Sequence, residues 1–537
     1  MKTLRTPLAL VTATALLALT ACGGDGSADA TGADAKPVNG GTLRFAVGSD
    51  AGCIDPQQVG SNDSIYSARQ LVDSLTDQDP ESGEIVPWLA EDWEINDEVT
   101  EFTFTLQEGI TFSNGDPLDA QAVADNFDAA EELGPRATLI SGYLEDYVET
   151  EVEDDRTFTV KFEEPNAQFL QASSTHSLGI LHPDTVAQTD DERCASVIGS
   201  GPFVLEDYTP NDEIILSGRE DYDWGSSQWD NQSAPHVDGI EFEVVPESGV
   251  RAGSLQSGQV DVIGNIAPQD EAGLEGSGAQ LLSRTNPGIA MGLRINHDNE
   301  LLADPAVREA LAIGINREDI ASTVYPEGTP AATSILSSTT PGHTDLSDSL
   351  SYDPEAAAEI LADAGFEENG DGVLERDGQP LEFDLLWFNV AATNSAAVEL
   401  IQQQLSDIGV KINLEEGQTA EWNSRLGEGS FDLNWANITR ADGDILRGDF
   451  DTELANNYRL TDTEELNDVL REQARTLDDD ARNELLGEAQ EYIVSNHLAI
   501  PVIDLTTIIA SRAEVHGVRF DSGARVHLND VWIQDAA

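Results

Sequence analysis

Lysine, cysteine and methionine are scarce in this chain of 537 residues. It has four lysines (Lys2, Lys36, Lys161 and Lys411), three cysteines and two methionines, and only 6% of its residues are aromatic. Its 101 acidic side chains outnumber the 27 basic ones and give a formal charge of −74 at pH 7. A surface this negative repels phosphate groups, which excludes nucleic acid and anionic lipid headgroups as partners.

Long apolar runs are missing, and the longest stretch lies at the N-terminus over residues 7–20. It follows two basic residues and ends in Leu19-Thr20-Ala21-Cys22. This layout describes an export signal, and the run is too short to span a bilayer. The final tetrapeptide is typical of a bacterial lipoprotein. We therefore expect residues 1–22 to be the signal, Cys22 to be acylated, and the chain to be lipid-anchored on the outer face of the cell membrane.

The segment after Cys22 offers little to bury. Residues 23–41 are mostly Gly, Ala, Asp and Ser, so we expect a flexible tether, with folded structure from Thr42. About 500 residues remain, which is too many for one hydrophobic core and predicts two or three domains. The acidic residues are spread along the whole chain, which indicates a solvated surface and not a recognition tail.

Two cysteines, Cys53 and Cys194, remain once Cys22 is acylated. Outside the cell they have one possible intramolecular pairing, and we expect a disulfide between them. The alternative, a catalytic thiol, lacks support because neither cysteine lies in a CxxC pattern or beside a histidine.

The element pattern is mixed α/β. Residues 102–106 alternate like a strand and, with residues 110–112 and the turn Asn114-Gly115, predict a hairpin. Asp304-Pro305 and Asp353-Pro354 each place an N-cap before a proline at the first helical position, and they predict helices over 306–315 and 355–364. Further strands are expected at 42–47, 214–216, 240–245, 260–263, 383–388, 411–414 and 431–435, and further helices at 250–256, 395–406 and, in pieces, 464–495.

Common catalytic and cofactor motifs are absent from the sequence. It has no GxxxxGK[ST], GxSxG, HExxH, SxxK or CxxC pattern, and its eight histidines never fall four apart on a predicted helix. The segment Glu368-Asn369-Gly370-Asp371-Gly372 lacks the spacing of a calcium loop and is better explained as a turn. We therefore expect no cofactor, no metal site and no catalysis, although a secreted hydrolase is kept as the alternative from another class.

Several segments, taken in order, resemble the solute-binding proteins of ABC importers in the family of oligopeptide-, dipeptide- and nickel-binding members. The resemblance covers nearly the whole chain. The matching blocks are Gly41-Thr42-Leu43-Arg44 with Ile54-Asp55-Pro56, Pro87-Trp88-Leu89-Ala90-Glu91-Asp92-Trp93, Phe104-Thr105-Leu106 through Phe112-Ser113-Asn114-Gly115-Asp116-Pro117, Gly199-Ser200-Gly201-Pro202-Phe203, Arg308-Glu309-Ala310-Leu311-Ala312 with Ile315-Asn316-Arg317, and Tyr352-Asp353-Pro354-Glu355.

The resemblance implies an α/β protein of the bilobed, periplasmic-binding-protein-like type II class, with an extra inserted subdomain. Lobe I would comprise residues 42–73, 195–287 and 500–537. The inserted subdomain would comprise residues 74–194, and lobe II residues 288–499. The lobes would close over a solute by hinge motion.

The resemblance also indicates where a solute would bind. In peptide-binding relatives an acidic residue after the Phe-Asp strand holds the ligand ammonium. When the alignment is continued without gaps from Phe431-Asp432-Leu433, this acidic position falls on Ala441, one residue before Asp442. The neighbouring Arg440 could instead bind a carboxylate with bidentate geometry. We therefore expect Thr439, Arg440 and Asp442 to contact the ligand, and the alternative for Asp442 is to cap a helix beginning near Ile445.

Lobe I should contribute Val59, Gly60 and Ser61, where relatives offer backbone groups to the ligand. A glycine in this segment suits a close backbone approach. Trp387 and Trp435 end two predicted strands and are candidate walls of the cleft, with core packing as the alternative.

Together these features predict an extracytoplasmic lipoprotein that binds a small solute. The main expectation for this solute is a short peptide. The protein would deliver the solute to a permease and an ATPase on separate chains, act as a monomer, and touch the membrane only through its lipid. A metal chelate or another non-peptide solute on the same scaffold is the alternative within the family. A sensory lipoprotein remains a further possibility.

The charge excess predicts that added salt stabilises the protein. The folded state repels itself, and screening relieves this repulsion at ionic strengths where the Debye length is about 3 to 10 Å. The melting temperature should therefore rise with sodium chloride concentration. A melting temperature that stays constant or falls would contradict the prediction, and sulfate should be avoided because it also strengthens apolar burial.

Overall fold

A computed structural model describes residues 36–137, 139–140, 142–388, 392–417, 419–454 and 456–534. The expected signal segment, its acylation site Cys22 and most of the expected tether lie outside these residues. The end of the tether differs from expectation, because a compact unit begins at Val38. The main-chain N–H of Gly40 donates to the carbonyl of His236 at 2.8 Å, and that of Gly41 donates to Asp238 Oδ2 at 3.0 Å.

Strands and helices alternate through the described residues. The strands are β1 (Thr42–Val47), β2 (Thr76–Gln78), β3 (Ile85–Pro87), β4 (Ala90–Ile95), β5 (Glu101–Leu106), β6 (Tyr147–Val152), β7 (Thr157–Phe162), β8 (Phe203–Thr209), β9 (Glu213–Gly218), β10 (Gly239–Val244), β11 (Val262–Ile263), β12 (Gln280–Thr285), β13 (Gly288–Ile295), β14 (Glu367–Glu368), β15 (Leu374–Arg376), β16 (Gln379–Pro380), β17 (Glu382–Phe388), β18 (Lys411–Gly417), β19 (Leu433–Thr439), β20 (Ala499–Ile503), β21 (Thr506–Ser511), β22 (Val515–His516), β23 (Arg519–Phe520), β24 (Val526–His527) and β25 (Trp532–Ile533).

The α-helices are α1 (Asn62–Ala68), α2 (Ala120–Glu132), α3 (Phe169–Ala172), α4 (Pro183–Val186), α5 (Asp190–Arg193), α6 (Ser248–Gln256), α7 (Pro268–Ser277), α8 (Pro305–Ile313), α9 (Arg317–Val324), α10 (Pro354–Asp363), α11 (Ala392–Asp407), α12 (Thr419–Glu428), α13 (Ile445–Phe450), α14 (Glu464–Gln473) and α15 (Asp479–Ser495). Short 3-10 helices lie at Arg69–Leu71, Gly134–Arg136, His176–Leu178 and Ser347–Leu350.

The unit that we call lobe I is built on a seven-stranded sheet with the order β12-β21-β11-β1-β10-β9-β8. β1 lies inside this sheet, parallel to both β10 and β11. Apolar and polar residues alternate along β1, so Leu43 and Phe45 point to the same face of the strand. Both are fully buried in the lobe core, as a strand inside a sheet requires. Segments from both ends of the chain therefore share one sheet.

The unit that we call lobe II contains a five-stranded sheet with the order β18-β17-β19-β13-β20. β17 runs parallel to β18 and β19, whereas β13 runs antiparallel to β19 and β20. The expected boundary at residue 500 lies inside β20 and is wrong by a few residues. Long-range pairing with β13 keeps this strand in lobe II, and the chain rejoins lobe I at β21.

A third unit, which we call the inserted unit, carries the four-stranded sheet β4-β5-β7-β6. The hairpin expected between residues 102–106 and 110–112 is not formed. β5 pairs with β4 and β7 instead, while Thr111 makes an isolated bridge to Pro117. The Asn114-Gly115 turn is present, because the Phe112 N–H donates to the Asp116 carbonyl at 2.8 Å. The predicted turn is therefore confirmed, but the predicted pairing of residues 102–106 with residues 110–112 is wrong.

Both helices predicted from Asp-Pro pairs are confirmed. The Asp304 carboxylate accepts a hydrogen bond from the Ala306 N–H at 3.0 Å, and α8 begins at Pro305. The Asp353 carboxylate accepts one from the Ala356 N–H at 2.9 Å, and α10 begins at Pro354. In each helix proline occupies a position whose N–H has no helical acceptor.

Two buried arginines of the matching blocks fix chain ends in lobe II. Arg317 donates to the carbonyls of Pro501, Ala312, Ile315 and Leu350 at 2.7 to 3.3 Å. Arg308 likewise donates to carbonyls at the start of α8 and at the end of α15. Since one guanidinium offers five donors in a fixed plane, it can satisfy several orphan carbonyls at once. These blocks are therefore scaffold elements.

Cys53 and Cys194 form a disulfide in the structure, and they are 141 residues apart in the chain. The bridge joins the segment before α1 to the residue after α5. Arg193 reinforces it, because its Nε lies 2.8 Å from Asp55 Oδ2 in a pair that is almost fully buried. These two links hold residues 53–55, and with them the segment that continues to Gly60.

Removing the disulfide should destabilise the protein. A bridge that closes a loop of 141 residues restricts the unfolded chain, and loss of a native bridge typically costs about 2–5 kcal/mol. We expect the Cys53→Ser, Cys194→Ser double variant to melt at a lower temperature than the wild type.

Non-reducing peptide mapping of exported wild-type protein provides the control, since it should recover the two cysteines in one linked peptide pair. Free thiols at both positions, or equal melting temperatures, would contradict this prediction.

Candidate functional site

Two chain segments connect lobe I to lobe II. The first runs from β12 to β13 through Asn286, and the second runs from β20 to β21 through Asp504 and Leu505. The Asn286 N–H donates to the Leu505 carbonyl at 2.7 Å, so the two segments are bonded to each other. Two short adjacent connections provide a hinge about which one lobe can rotate against the other.

The edge of lobe II that faces the other units follows from the direction of its strands. β17, β18 and β19 run parallel, so their carboxyl ends at Phe388, Gly417 and Thr439 lie on one side of the sheet. In open α/β sheets, ligands bind beyond this side. The segment after Thr439, which the sequence predicts to contact a ligand, begins at this side of the sheet.

Arg440 leaves this edge and enters the inserted unit. Its guanidinium carbon lies 4.1 Å from the ring centroid of Tyr143, and its Nη2 donates to the Leu139 carbonyl at 3.3 Å. Nη1 donates to Gln168 Oε1 at 3.4 Å. A Cβ at Gly142 would lie 2.7 Å from Nη2, so a larger residue there would require the guanidinium to shift. Arg440 thus joins lobe II to the inserted unit.

Ala441 adds a second contact between units. Its carbonyl accepts a hydrogen bond from Gln78 Nε2 at 3.3 Å. It also lines a cavity of about 270 Å³ together with Gln78, Ser338 and Ser522. This cavity lies between residues of all three chain regions, close to the lower end of the range for small-molecule pockets.

Asp442 is buried, and its carboxylate is already paired. Its Oδ1 lies 2.5 Å from Arg482 Nη2 and its Oδ2 lies 2.9 Å from Nη1, and it accepts a hydrogen bond from the Asp444 N–H at 2.8 Å. Burial alone would raise the pKa of Asp442, but the charge and hydrogen bonds of Arg482 lower this pKa below its ordinary value. The residue before α13 is Asp444, so Asp442 is not the N-cap of that helix.

The other predicted residues of lobe II occupy two kinds of environment. Thr439 is half-buried at the end of β19. Trp387 and Trp435 belong to the hydrophobic core of lobe II and are 6% and 1% exposed. Core packing, the alternative considered for the tryptophans, describes their positions.

The lobe I segment lies next to the same region. Val59 is buried, while Gly60 and Ser61 are exposed just before α1. Val59 belongs to a small apolar cluster against which Leu139 packs, and the Leu139 carbonyl accepts the hydrogen bond from Arg440. Leu139 therefore links Arg440 to the apolar cluster that contains Val59.

Sequence reasoning did not identify four residues of this region. Tyr143 and Gln168 receive Arg440, Gln78 holds the Ala441 carbonyl, and Arg482 pairs with Asp442. None of the four lies in a motif, and each is far from its partner in the chain. Residues that are distant in the chain can be recognised as partners only once the fold is known.

Within the described ranges, no group of three or more His, Cys, Asp or Glu side chains is arranged to hold a metal ion. No described helix is both long and apolar enough to cross a membrane.

Comparison with known proteins gives consistent matches. Residues 84–446 match the family model described as bacterial extracellular solute-binding proteins, family 5 Middle. The chain is 26% identical to the dipeptide-binding protein of Escherichia coli K12 over 479 residues, which are 84% of this chain and 86% of that protein. It is also 26% identical to the nickel-binding periplasmic protein of the same strain over 392 residues, covering 70% and 73% of the two chains.

Solved structures share the fold. NikA from Brucella suis in complex with Fe(III)-EDTA has a TM-score of 0.79 at 21% identity, with 92% of this chain and 100% of that chain covered. The oligopeptide-binding protein AppA from Bacillus subtilis in complex with a nonapeptide has a TM-score of 0.76 at 18% identity, with 93% and 100% covered. The bilobed α/β fold with an inserted subdomain, predicted from the sequence, is confirmed.

The Asp442–Arg482 pair predicts a loss of stability on substitution. Asp442→Asn leaves the buried Arg482 charge without its carboxylate, which should lower the free energy of unfolding by about 3–5 kcal/mol at pH 7. Because the folded pKa is depressed, the contribution of the pair is present above the unfolded pKa and is lost as pH falls through the folded value. The difference between variant and wild type should therefore shrink below about pH 4.

Urea unfolding across pH measures this difference, and the exposed Asp479→Asn is the matched control. Equal stability of Asp442→Asn and Asp479→Asn at pH 7 would contradict the prediction.

Proposed function

Because the chain belongs to the bacterial extracellular solute-binding proteins of family 5, we propose that it binds a short peptide between lobe I and lobe II. It then delivers this solute to the permease of an ABC importer, whose ATPase is a separate chain. The observation that carries the proposal is the contact of Arg440 with Tyr143 across the units, beside a two-segment hinge. This arrangement suits a protein that closes over its ligand.

Members of the family are extracytoplasmic. We propose that a lipid anchor holds this chain there. Cys22 is the acylated residue, and the segment that follows it lets a monomer stay near the outer face of the cell membrane. The N-terminal sequence supports this anchor through its short apolar stretch and small residues before Cys22. The lipid is then the sole attachment to the membrane, and no catalytic step is assigned to the protein.

A non-peptide solute such as a metal chelate is the second candidate, and the state of Asp442 favours it. A peptide ammonium requires a free carboxylate, but the Asp442 carboxylate faces Arg482, and the preceding position is Ala441. A solute without an ammonium group needs no such anchor. One structural neighbour, NikA from Brucella suis, is in complex with Fe(III)-EDTA.

Native mass spectrometry of the exported protein tests the proposal directly. Binding proteins enclose their solute, so we expect a retained small molecule whose fragmentation gives either a peptide or a chelate. Isothermal titration with that molecule then measures its affinity. Protein that carries no solute and binds neither dipeptides nor Fe(III)-EDTA would contradict the proposed function.

Arg440→Met should weaken solute binding by about tenfold, because it removes contacts made only when lobe II meets the inserted unit. Arg376→Met is the matched control: Arg376 also lies over an aromatic ring, at 4.3 Å from Phe366, but inside lobe II. Equal losses of affinity in the two variants would show that Arg440 has no special part in closure.

A further inference from the structure

A short loop of lobe II, which we call the hinge loop, comprises residues 337–341. The segment before it belongs to lobe II, because Ala331 forms a bridge to Ile503 of β20 and Leu336 forms one to Ile289 of β13. Residues 338–341 line the cavity that lies between the units. The hinge loop is therefore a part of lobe II that also forms a wall of this cavity.

The hinge loop holds both main-chain polar groups of Gly288, the residue at which the first hinge segment enters β13. The Gly288 N–H donates to Thr340 Oγ1 at 2.8 Å, and the Gly288 carbonyl accepts from the Ser337 N–H at 2.8 Å. Gly288 has a φ of 105°, which glycine adopts without strain, and it follows Pro287, whose ring fixes φ. Gly288 is thus the more adaptable of the two residues, and the hinge loop restrains it.

The second hinge segment is bonded to the same loop. Asp504 follows β20 and is 1% exposed, and its Oδ2 accepts a hydrogen bond from the Ser338 N–H at 2.9 Å. The Asp504 N–H donates to the Pro330 carbonyl at 3.1 Å. Neighbouring residues of one loop therefore bond to both hinge segments.

One further hydrogen bond of the hinge loop crosses from lobe II to lobe I. Thr339 Oγ1 donates to the Thr285 carbonyl at 3.0 Å. Thr285 is the last residue of β12 and pairs with Thr506 in the lobe I sheet. The bond therefore bypasses the hinge residues Asn286 and Pro287. Its length depends on the angle between the lobes, and a hydrogen bond tolerates only a few tenths of an ångström of lengthening.

The hinge loop also meets the inserted unit. A Cβ at Gly83, in the turn between β2 and β3, would lie 3.2 Å from Pro341 Cγ, so the turn and the loop are in close contact. In the same conformation Arg440 of lobe II reaches Tyr143 of the inserted unit. The bond from the hinge loop to lobe I is therefore present when lobe II and the inserted unit touch.

We propose that the hinge loop is a brace that sets the balance between the open and the closed arrangement of the lobes, and that the Thr339–Thr285 hydrogen bond favours the closed one. This inference rests on the proposed function and adds how closure over the solute is controlled. The hinge angle of this structure permits the bond, and rotation of lobe II away from lobe I breaks it. Thr339 is then a positioning residue, which acts on solute binding through the hinge.

Amide exchange in solute-free protein tests the brace. The Ala167 N–H of the inserted unit donates to the Ala474 carbonyl of lobe II at 2.8 Å, so its exchange with deuterium reports separation of the two units. Thr339→Val keeps the shape of the side chain and removes the donor. Exchange at Ala167, measured by mass spectrometry at single-residue resolution, should become about fivefold faster.

Two variants are matched controls. Thr333 and Thr339 are both half-buried, and the Thr333 hydroxyl lies 3.0 Å from His343 Nε2 within lobe II. Thr333→Val therefore removes the same group without affecting a bond between lobes, and Thr339→Ser keeps the donor. Exchange at Ala167 should stay at the wild-type rate in both. An unchanged rate in Thr339→Val, or an equal acceleration in Thr333→Val, would overturn the proposal.

A second amide separates opening of the lobes from general loss of stability. The Ala172 N–H donates to the Gln168 carbonyl at 2.9 Å, and both residues lie inside the inserted unit. Its exchange should be the same in Thr339→Val as in the wild type. If Ala172 is accelerated as much as Ala167, the substitution only destabilises the protein, and the brace is refuted.

Titration with dialanine and trialanine connects the brace to solute binding. Thr339→Val should bind them about fivefold more weakly than the wild type, because closing over the solute is less favourable, while Thr339→Ser should bind them equally well. Equal affinities of all three proteins would overturn the proposal and leave the peptide function intact. If neither peptide binds the wild type, peptide binding is contradicted, and the exchange at Ala167 still decides whether the brace exists.

Discussion

The placement of a few guanidinium groups is the constraint on which the rest of this structure depends. In a chain with 101 acidic and 27 basic residues, buried positive charge is scarce, and the protein uses it to join distant segments. Arg193 fixes the segment after Cys53, Arg317 gathers chain ends in lobe II, and Arg482 holds the segment after β19 through Asp442. The contacts of Arg193 and Arg482 determine where two segments of the candidate site can lie, and those of Arg317 fix the scaffold of lobe II.

Local chemistry in the sequence was sufficient for features that a few neighbouring residues determine. The Asp-Pro pairs at 304 and 353 predicted two helix starts, because capping involves only the first turn. Strand pairing was less accessible. β5 pairs with strands on either side of it, and β20 joins the lobe II sheet, because both choices depend on partners far away in the chain. The expected hairpin and the expected boundary at residue 500 failed for that reason.

In the candidate site, too, the sequence predicted segments but not the contacts between distant residues. The family resemblance led to the segments 59–61 and 439–442, and Leu139 links Arg440 of the second segment to the apolar cluster that contains Val59 of the first. It did not lead to Tyr143 or Arg482, whose importance depends on what surrounds them. Both residues are far in the chain from the side chains that they contact, so only the folded structure reveals these contacts.

The position of β21 also affects the order in which the protein can fold. A chain is synthesised from its N-terminus, yet β21 lies between β12 and β11, inside the lobe I sheet. Lobe I therefore cannot complete its sheet until almost the last residues have been made. Lobe II is continuous from β13 to β20 and can form earlier. Until β21 is in place, the edges of β11 and β12 are open to pairing with other chains, so a truncation before β21 should leave a lobe I sheet that is prone to aggregate.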